Sequence, residues 1–325
     1  MCPHFPRCAL QPLSGHRRVF VGALLGWVGA VLADVPVQAA EDQPVIDELS
    51  VAGARIEMQF DSRFDAEFRR LARGWVQASA QAVADYFGRF PLPEVEVLVL
   101  PSGEPGVHGG TAFALPQPYL RLRVGPATQS HQFDADWVLV HEMIHLAIPH
   151  LPPAQSWFHE GVATYVEGVA RARARRITPQ ALWGGLATGL PNGLPAAGDR
   201  GLDHTPTWGR TYWGGALFCL LADVRIRQRT QGRAGLQQAL AGILEAGGNY
   251  ASDWPLERIL RVADQAVGQT CLAELHALMK DNPATVDLAS LWRELGVLPQ
   301  GPNHAHLDDS APLARLRRLI AGQDP

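Results

Sequence analysis

Lysine is all but missing from this chain: Lys280 is the only one in 325 residues, and arginine carries the rest of the positive charge. The net charge is −4 and no basic block occurs, which argues against nucleic acid as a partner. Cysteine is scarce too, with four in all and no Cys-x-x-Cys, so a thiolate zinc module is excluded. No uncharged apolar run reaches the ~20 residues that a membrane-spanning helix needs. Repeats and low-complexity tracts are absent, which removes solenoids and arrays. What remains is a chain that is 47% hydrophobic, long enough for one large or two modest domains with a real core.

The first forty residues read as an export leader. Arg17-Arg18 precede the apolar run from Val19 to Ala33, and Val37-Gln38-Ala39-Ala40 offers small residues for cleavage near Ala39/Ala40. This order predicts a secreted or periplasmic mature protein with no stable membrane insertion once the leader is gone. Its removal takes away three arginines and one aspartate and moves the net charge to −6. Because the leader reaches far upstream of Arg17, the true start codon stays open. Cys2 and Cys8 leave with it. Cys219 and Cys271 remain in apolar helical stretches, where a disulfide and two buried thiols fit equally well.

The chemistry concentrates in His141-Glu142-Met143-Ile144-His145. Histidines four apart on a helix lie about one turn from each other and can grip one Zn²⁺, which places the intervening Glu142 beside an attacking water as a general base. The surrounding stretch, Asp136 to Ile148, is apolar nearly all round and ends at Pro149, as a buried helix does. Three polar side chains there would cost several kcal/mol if left unpaired, and a metal supplies their partner. A third ligand is needed. After the stiff connector His150–Gln155, Ser156 starts a second helical pattern running from Trp157 to about Arg173, with Glu160 in its first turn. A short turn between antiparallel helices brings Glu160 opposite the histidine pair. His159 points about 100° round that helix and is not expected to ligate. Glu167, two turns beyond Glu160, is either a supporting partner or a solvated residue.

These residues resemble a known family. His-Glu-x-x-His followed by Trp157-Phe158-His159-Glu160-Gly161-Val162-Ala163-Thr164-Tyr165-Val166-Glu167 is similar to the gluzincin peptidases, in particular to the membrane-alanyl-type aminopeptidases. Tyr212-Trp213-Gly214-Gly215-Ala216 resembles the Tyr-x-x-Gly-Ala segment of that clan, and the following helix is like that of glycyl aminopeptidases. The resemblance spans roughly residues 93–320. It implies His141, His145 and Glu160 as ligands of a single zinc, Glu142 as general base, and Tyr212 as a donor to the tetrahedral intermediate. A phenol stays protonated at neutral pH and can play that part. The family's Gly-x-Met-x-Asn segment, whose acidic neighbour anchors a free amino terminus, has no clear counterpart here. Gly109-Gly110-Thr111-Ala112-Phe113 is the nearest, so internal and terminal cleavage both stay open.

The expected fold is α+β, a thermolysin-like zincin with a sheet-containing lobe at 41–177, a mainly helical lobe at 178–325 and a cleft between them. Strands are expected within Glu48–Phe60, at Pro93–Leu100 and at Tyr119–Val124, the last offering an open edge to an extended peptide. A helix is expected at Phe64–Phe87 and a loop from Ser102 to Gly110. The segment from Thr178 to Arg210 lacks periodicity and is expected to line or cover the cleft. Helices follow at Tyr212–Thr230, Ala234–Glu245, Pro255–Val267, Thr270–Lys280 and Pro312–Ile320. His204, in the segment from Thr178 to Arg210, reads as a loop histidine without a role or as a substrate contact, and His304 and His306 read as surface residues. The expected activity is hydrolysis of a peptide or protein substrate. A catalytically silent peptide-binding protein and a zinc hydrolase of a non-peptide amide or epoxide remain as alternatives, because the same site chemistry serves them.

Overall fold

In the computed structural model, which describes residues 44–323, the apolar alternation of the first half becomes a five-stranded sheet. The predicted leader at 1–40 lies outside these residues. Strands β1 (Val45–Val51) and β2 (Ala54–Phe60) form an antiparallel hairpin, whose turn uses Gly53 at φ +82°. Helix α1 (Ala66–Phe87) crosses over to β3 (Glu94–Pro101), parallel to β2. Asp65 starts that helix by accepting from the Phe68 N–H at 2.7 Å, and Gly88 in the left-handed region ends it. Strands β4 (Val107–Phe113) and β5 (Tyr119–Val124) complete the order β1-β2-β3-β5-β4.

That order corrects two expectations. Residues 107–110 of the stretch read as a loop belong to strand β4, while 102–106 remain a loop, and Tyr119–Val124 is an interior strand with no open edge. The edge on that side is β4 itself.

Alternate residues of β2, β3 and β5 (Ile56, Met58, Phe60; Val95, Val97, Val99; Leu120, Leu122, Val124) are buried on the core face. Beyond the sheet, α2 (Ser130–Ala135), α3 (Val138–His145) and α4 (Ser156–Arg173) follow, then α5 (Pro179–Gly189) and α6 (Gly215–Arg229). The segment expected to lack periodicity thus contains α5. Thr178 caps it by accepting from Ala181 N–H at 3.2 Å, and Pro179 occupies its first turn. Helices α7 (Leu236–Glu245), α8 (Leu256–Val267), α9 (Cys271–Met279) and α11 (Ala314–Ile320) fall where expected. Helix α10 (Leu288–Leu295) and the hairpin of β6 (Val297–Pro299) and β7 (Ala305–Leu307) are additions the sequence did not announce.

One apolar core runs from β1 through to Ile320. Inside it a polar knot ties α4 to α6 and α7: Asp223 accepts from Tyr165 Oη at 2.9 Å, Arg227 Nε at 2.7 Å and Leu236 N–H at 3.0 Å. Cys219 and Cys271 are both free, buried thiols, which settles the question left by the sequence. No helix among the described residues is long and apolar enough to cross a membrane.

Candidate metal centre

Helix α3 is short, and it is fastened at both ends. The Asp136 carboxylate accepts from the Val138 and Leu139 N–H groups at 3.0 and 3.1 Å and from Trp75 Nε1 of α1 at 3.0 Å, so the helix start is tied to the sheet-side helix. Its last turn tightens, with Leu146, Ala147 and Ile148 each bonding three residues back. Tyr250 N–H then donates to Leu146 O at 3.1 Å, and His150 N–H to Ser252 O at 2.9 Å, which docks the 249–253 turn on the helix end.

Helix α4 runs past α3, and two glycines decide how closely it meets α6. A Cβ placed on Gly161 would lie 2.3 Å from the Gly215 backbone, and one on Gly215 would lie 2.0 Å from Trp157 O. The backbones meet there because neither residue has a side chain. Glu160 and Tyr212 sit beside this crossing, Tyr212 in a π-helical stretch at Gly209–Gly214 that leads into α6. Single π turns inside helices are frequent at functional sites.

The result brings His141, His145 and Glu160 together. Glu160 Oε2 lies 3.3 Å from His141 Nε2 and 3.5 Å from His145 Nε2, and all three donor atoms fall within 4.8 Å of one another. Tetrahedral zinc bonds of 2.0–2.2 Å put neighbouring donors about 3.3–3.6 Å apart, so the two distances to Glu160 fit the ion. Both histidines are buried, while Glu160 keeps some exposure. Burial would raise the Glu160 carboxyl, but the charge of His145 and the hydrogen bonds from both histidines outweigh it and hold the group well below its ordinary value. Burial lowers His141, yet the bond to Glu160 and the charges of Glu142 and Glu160 leave it above its ordinary value.

Glu142 is buried beside them. Its Oε2 accepts from the Ala112 N–H of β4 at 2.9 Å, and Gly110 leaves room for it, since a Cβ there would stand 2.5 Å from Glu142 Cγ. Tyr212 stacks over His141 with ring centroids 6.4 Å apart and 21° between planes. Glu167 is not solvated; it pairs with Arg171 at 2.5 Å, and burial raises its carboxyl. His159 lies flat on His145, 4.2 Å and 5° away, outside the trio. His204 pairs with Asp281 on the surface, and His304 and His306 are exposed, as expected.

One residue escaped the sequence reading. Tyr250 stacks on His159 at 5.0 Å and reaches Ala112 O at 3.4 Å. The only signal was a single aromatic inside a turn-forming run, Gly247-Gly248-Asn249-Tyr250-Ala251-Ser252.

No family model matches the chain, and no curated protein matches its sequence. Solved structures do match its fold. An aminopeptidase N family protein from Idiomarina loihiensis aligns over 78% of this chain and 49% of its own length, with a TM-score of 0.60 at 15% identity. An M1 zinc metallopeptidase from Deinococcus radiodurans aligns over 75% of this chain and 54% of its own, with a TM-score of 0.49 at 16% identity. The chain therefore shares its fold with the Idiomarina loihiensis protein, and it spans about half the length of these solved structures.

Proposed function

We propose that this protein is an exported zinc peptidase. The observation that carries the reading is the convergence of two Nε2 atoms and one carboxylate oxygen at 3.3 and 3.5 Å, with Glu142 held beside them by the Ala112 N–H. His141, His145 and Glu160 would hold a zinc ion, which would polarise a substrate carbonyl and make water acidic. Glu142 takes a proton from the attacking water and returns it to the leaving amine. Tyr212 donates a hydrogen bond to the developing oxyanion. The architecture is read as thermolysin-like, with an α+β lobe at 41–177, a helical lobe at 178–325 and a substrate cleft between them. The substrate is a peptide or protein, with no nucleic acid partner and no lasting membrane insertion after the leader is cleaved near Ala39/Ala40.

The test is mass-spectrometric profiling of a mixed peptide library with zinc-loaded residues 41–325 and a Glu142→Gln control. Cleavage by the wild type alone supports the reading, and single residues lost from amino termini would make it an aminopeptidase. A cleaving Glu142→Gln protein would sink the mechanism. One tightly bound zinc without any cleavage would favour the peptide-binding protein.

A further inference from the structure

Two phenols, not one, border the candidate centre. Tyr212 lies against His141. Tyr250 lies at the other histidine, through the stack His145–His159–Tyr250 with centroid separations of 4.2 and 5.0 Å. We propose that Tyr250 is a second catalytic hydrogen-bond donor, delivering its O–H to the oxyanion of a tetrahedral intermediate. This rests on the hydrolase reading given above.

Three observations place the phenol there. First, Ala112 of β4 presents two groups outward. Its N–H holds Glu142 at 2.9 Å and its carbonyl accepts from Tyr250 Oη at 3.4 Å, so the general base and the phenol share one residue of the strand edge. Second, the phenol feels the centre: burial, then the charges of Glu160 and Glu142, push it up to about 12. Third, its backbone is fixed. Asn249 N–H donates to Ser252 Oγ at 3.1 Å, Ser252 N–H to Asn249 O at 2.9 Å, and Tyr250 N–H to the end of α3. A donor fixed in advance costs little reorganisation when charge develops.

At 3.4 Å the bond to Ala112 O is long and weak, so the hydroxyl is easily given up to a better acceptor. As water adds to the carbonyl carbon, the C=O π pair moves onto oxygen, and that oxygen outbids Ala112 for the phenol O–H. The proton stays on Tyr250 throughout. Collapse re-forms C=O and breaks C–N, with Glu142 supplying the proton that the amine carries away. Nothing is oxidised or reduced.

The experiment compares zinc-loaded wild type, Tyr250→Phe, Tyr212→Phe and the double variant on a peptide the wild type cleaves. For Tyr250→Phe we expect kcat to fall about 10²-fold with KM little changed. Calorimetry should show affinity for a phosphinic peptide, a tetrahedral mimic, falling by a similar factor. Zinc content and affinity for the product peptide should hold. Wild-type rates in Tyr250→Phe would overturn the proposal. So would a loss of zinc, or equal losses in phosphinic and product binding, because Tyr250 would then only pin Ala112. If the wild type neither cleaves peptides nor binds the phosphinic mimic, the hydrolase reading itself fails and takes this one with it.

Discussion

Gly161→Ala should loosen the grip on zinc far more than it unsettles the fold. The added Cβ would meet Gly215 backbone carbon at 2.3 Å, whereas ordinary contact begins near 3.4 Å, so α4 and α6 must part by about 1 Å. Overpacking of this kind costs about 1–3 kcal/mol, and alanine's helix propensity offsets about 1 kcal/mol of it. Net destabilisation is then about 0–2 kcal/mol. Glu160 next door, as the proposed ligand, has no such tolerance: metal bonds hold to about ±0.2 Å, and its side chain must follow the helix. We expect zinc affinity to drop about 10–100-fold, the size seen when supporting partners of a ligand are lost. A chelator-competition titration reads the affinity, and a thermal melt of metal-free protein reads the fold. Gly168→Ala on the same helix is the internal control, because its Cβ would meet only the Leu182 Cδ1 methyl at 3.0 Å. Zinc affinity in Gly161→Ala equal to that of Gly168→Ala would refute the reasoning.

Two further outcomes follow from the centre. Gly110→Ala should keep zinc but slow turnover, since its Cβ displaces the flexible Glu142 side chain rather than a ligand; metal analysis beside steady-state kinetics checks this, and undiminished kcat would count against Glu142 as base. Metal-free protein should show a stability maximum over pH from the His141–Glu160 pair. Glu160, depressed on folding from 4.5, contributes above that pH and loses its contribution as acid protonates it; His141, raised from 6.5, contributes below that pH and loses it as the pH climbs through the folded value. Melts from about pH 2 to about pH 8, which reach well below the ordinary carboxyl value and above the ordinary imidazole value, should therefore flatten in Glu160→Gln, and an unchanged profile would mean the pair is not coupled to folding.

The centre was legible because most of it is local. His141, Glu142 and His145 share one helix, and Glu160 heads the next, so helical periodicity and a short connector were enough to bring the trio together. The sheet was less legible where glycine served packing rather than turning. Gly109-Gly110 reads as a loop, yet in β4 the bare backbone at Gly110 exists to admit Glu142 and Val138. The same ambiguity hid α5, whose Gly184 is bare because the backbone at His304 lies against it. Tyr250 was invisible for a different reason: its place depends on a turn docking on the far end of α3, a contact between residues about a hundred positions apart. Periodicity cannot report such a contact.

The long reach of that turn has a consequence in time. On a chain made from its amino terminus, the three metal donors are all present by residue 160 and belong to neighbouring helices. The α6 crossing that seats Glu160, the π turn bearing Tyr212 and the turn bearing Tyr250 come later, and non-local pairings are the slow ones to close. The donor residues can therefore come near one another before the elements that fix their spacing have closed. A nascent or half-folded copy can carry the donor trio while the elements that close around it are still being made.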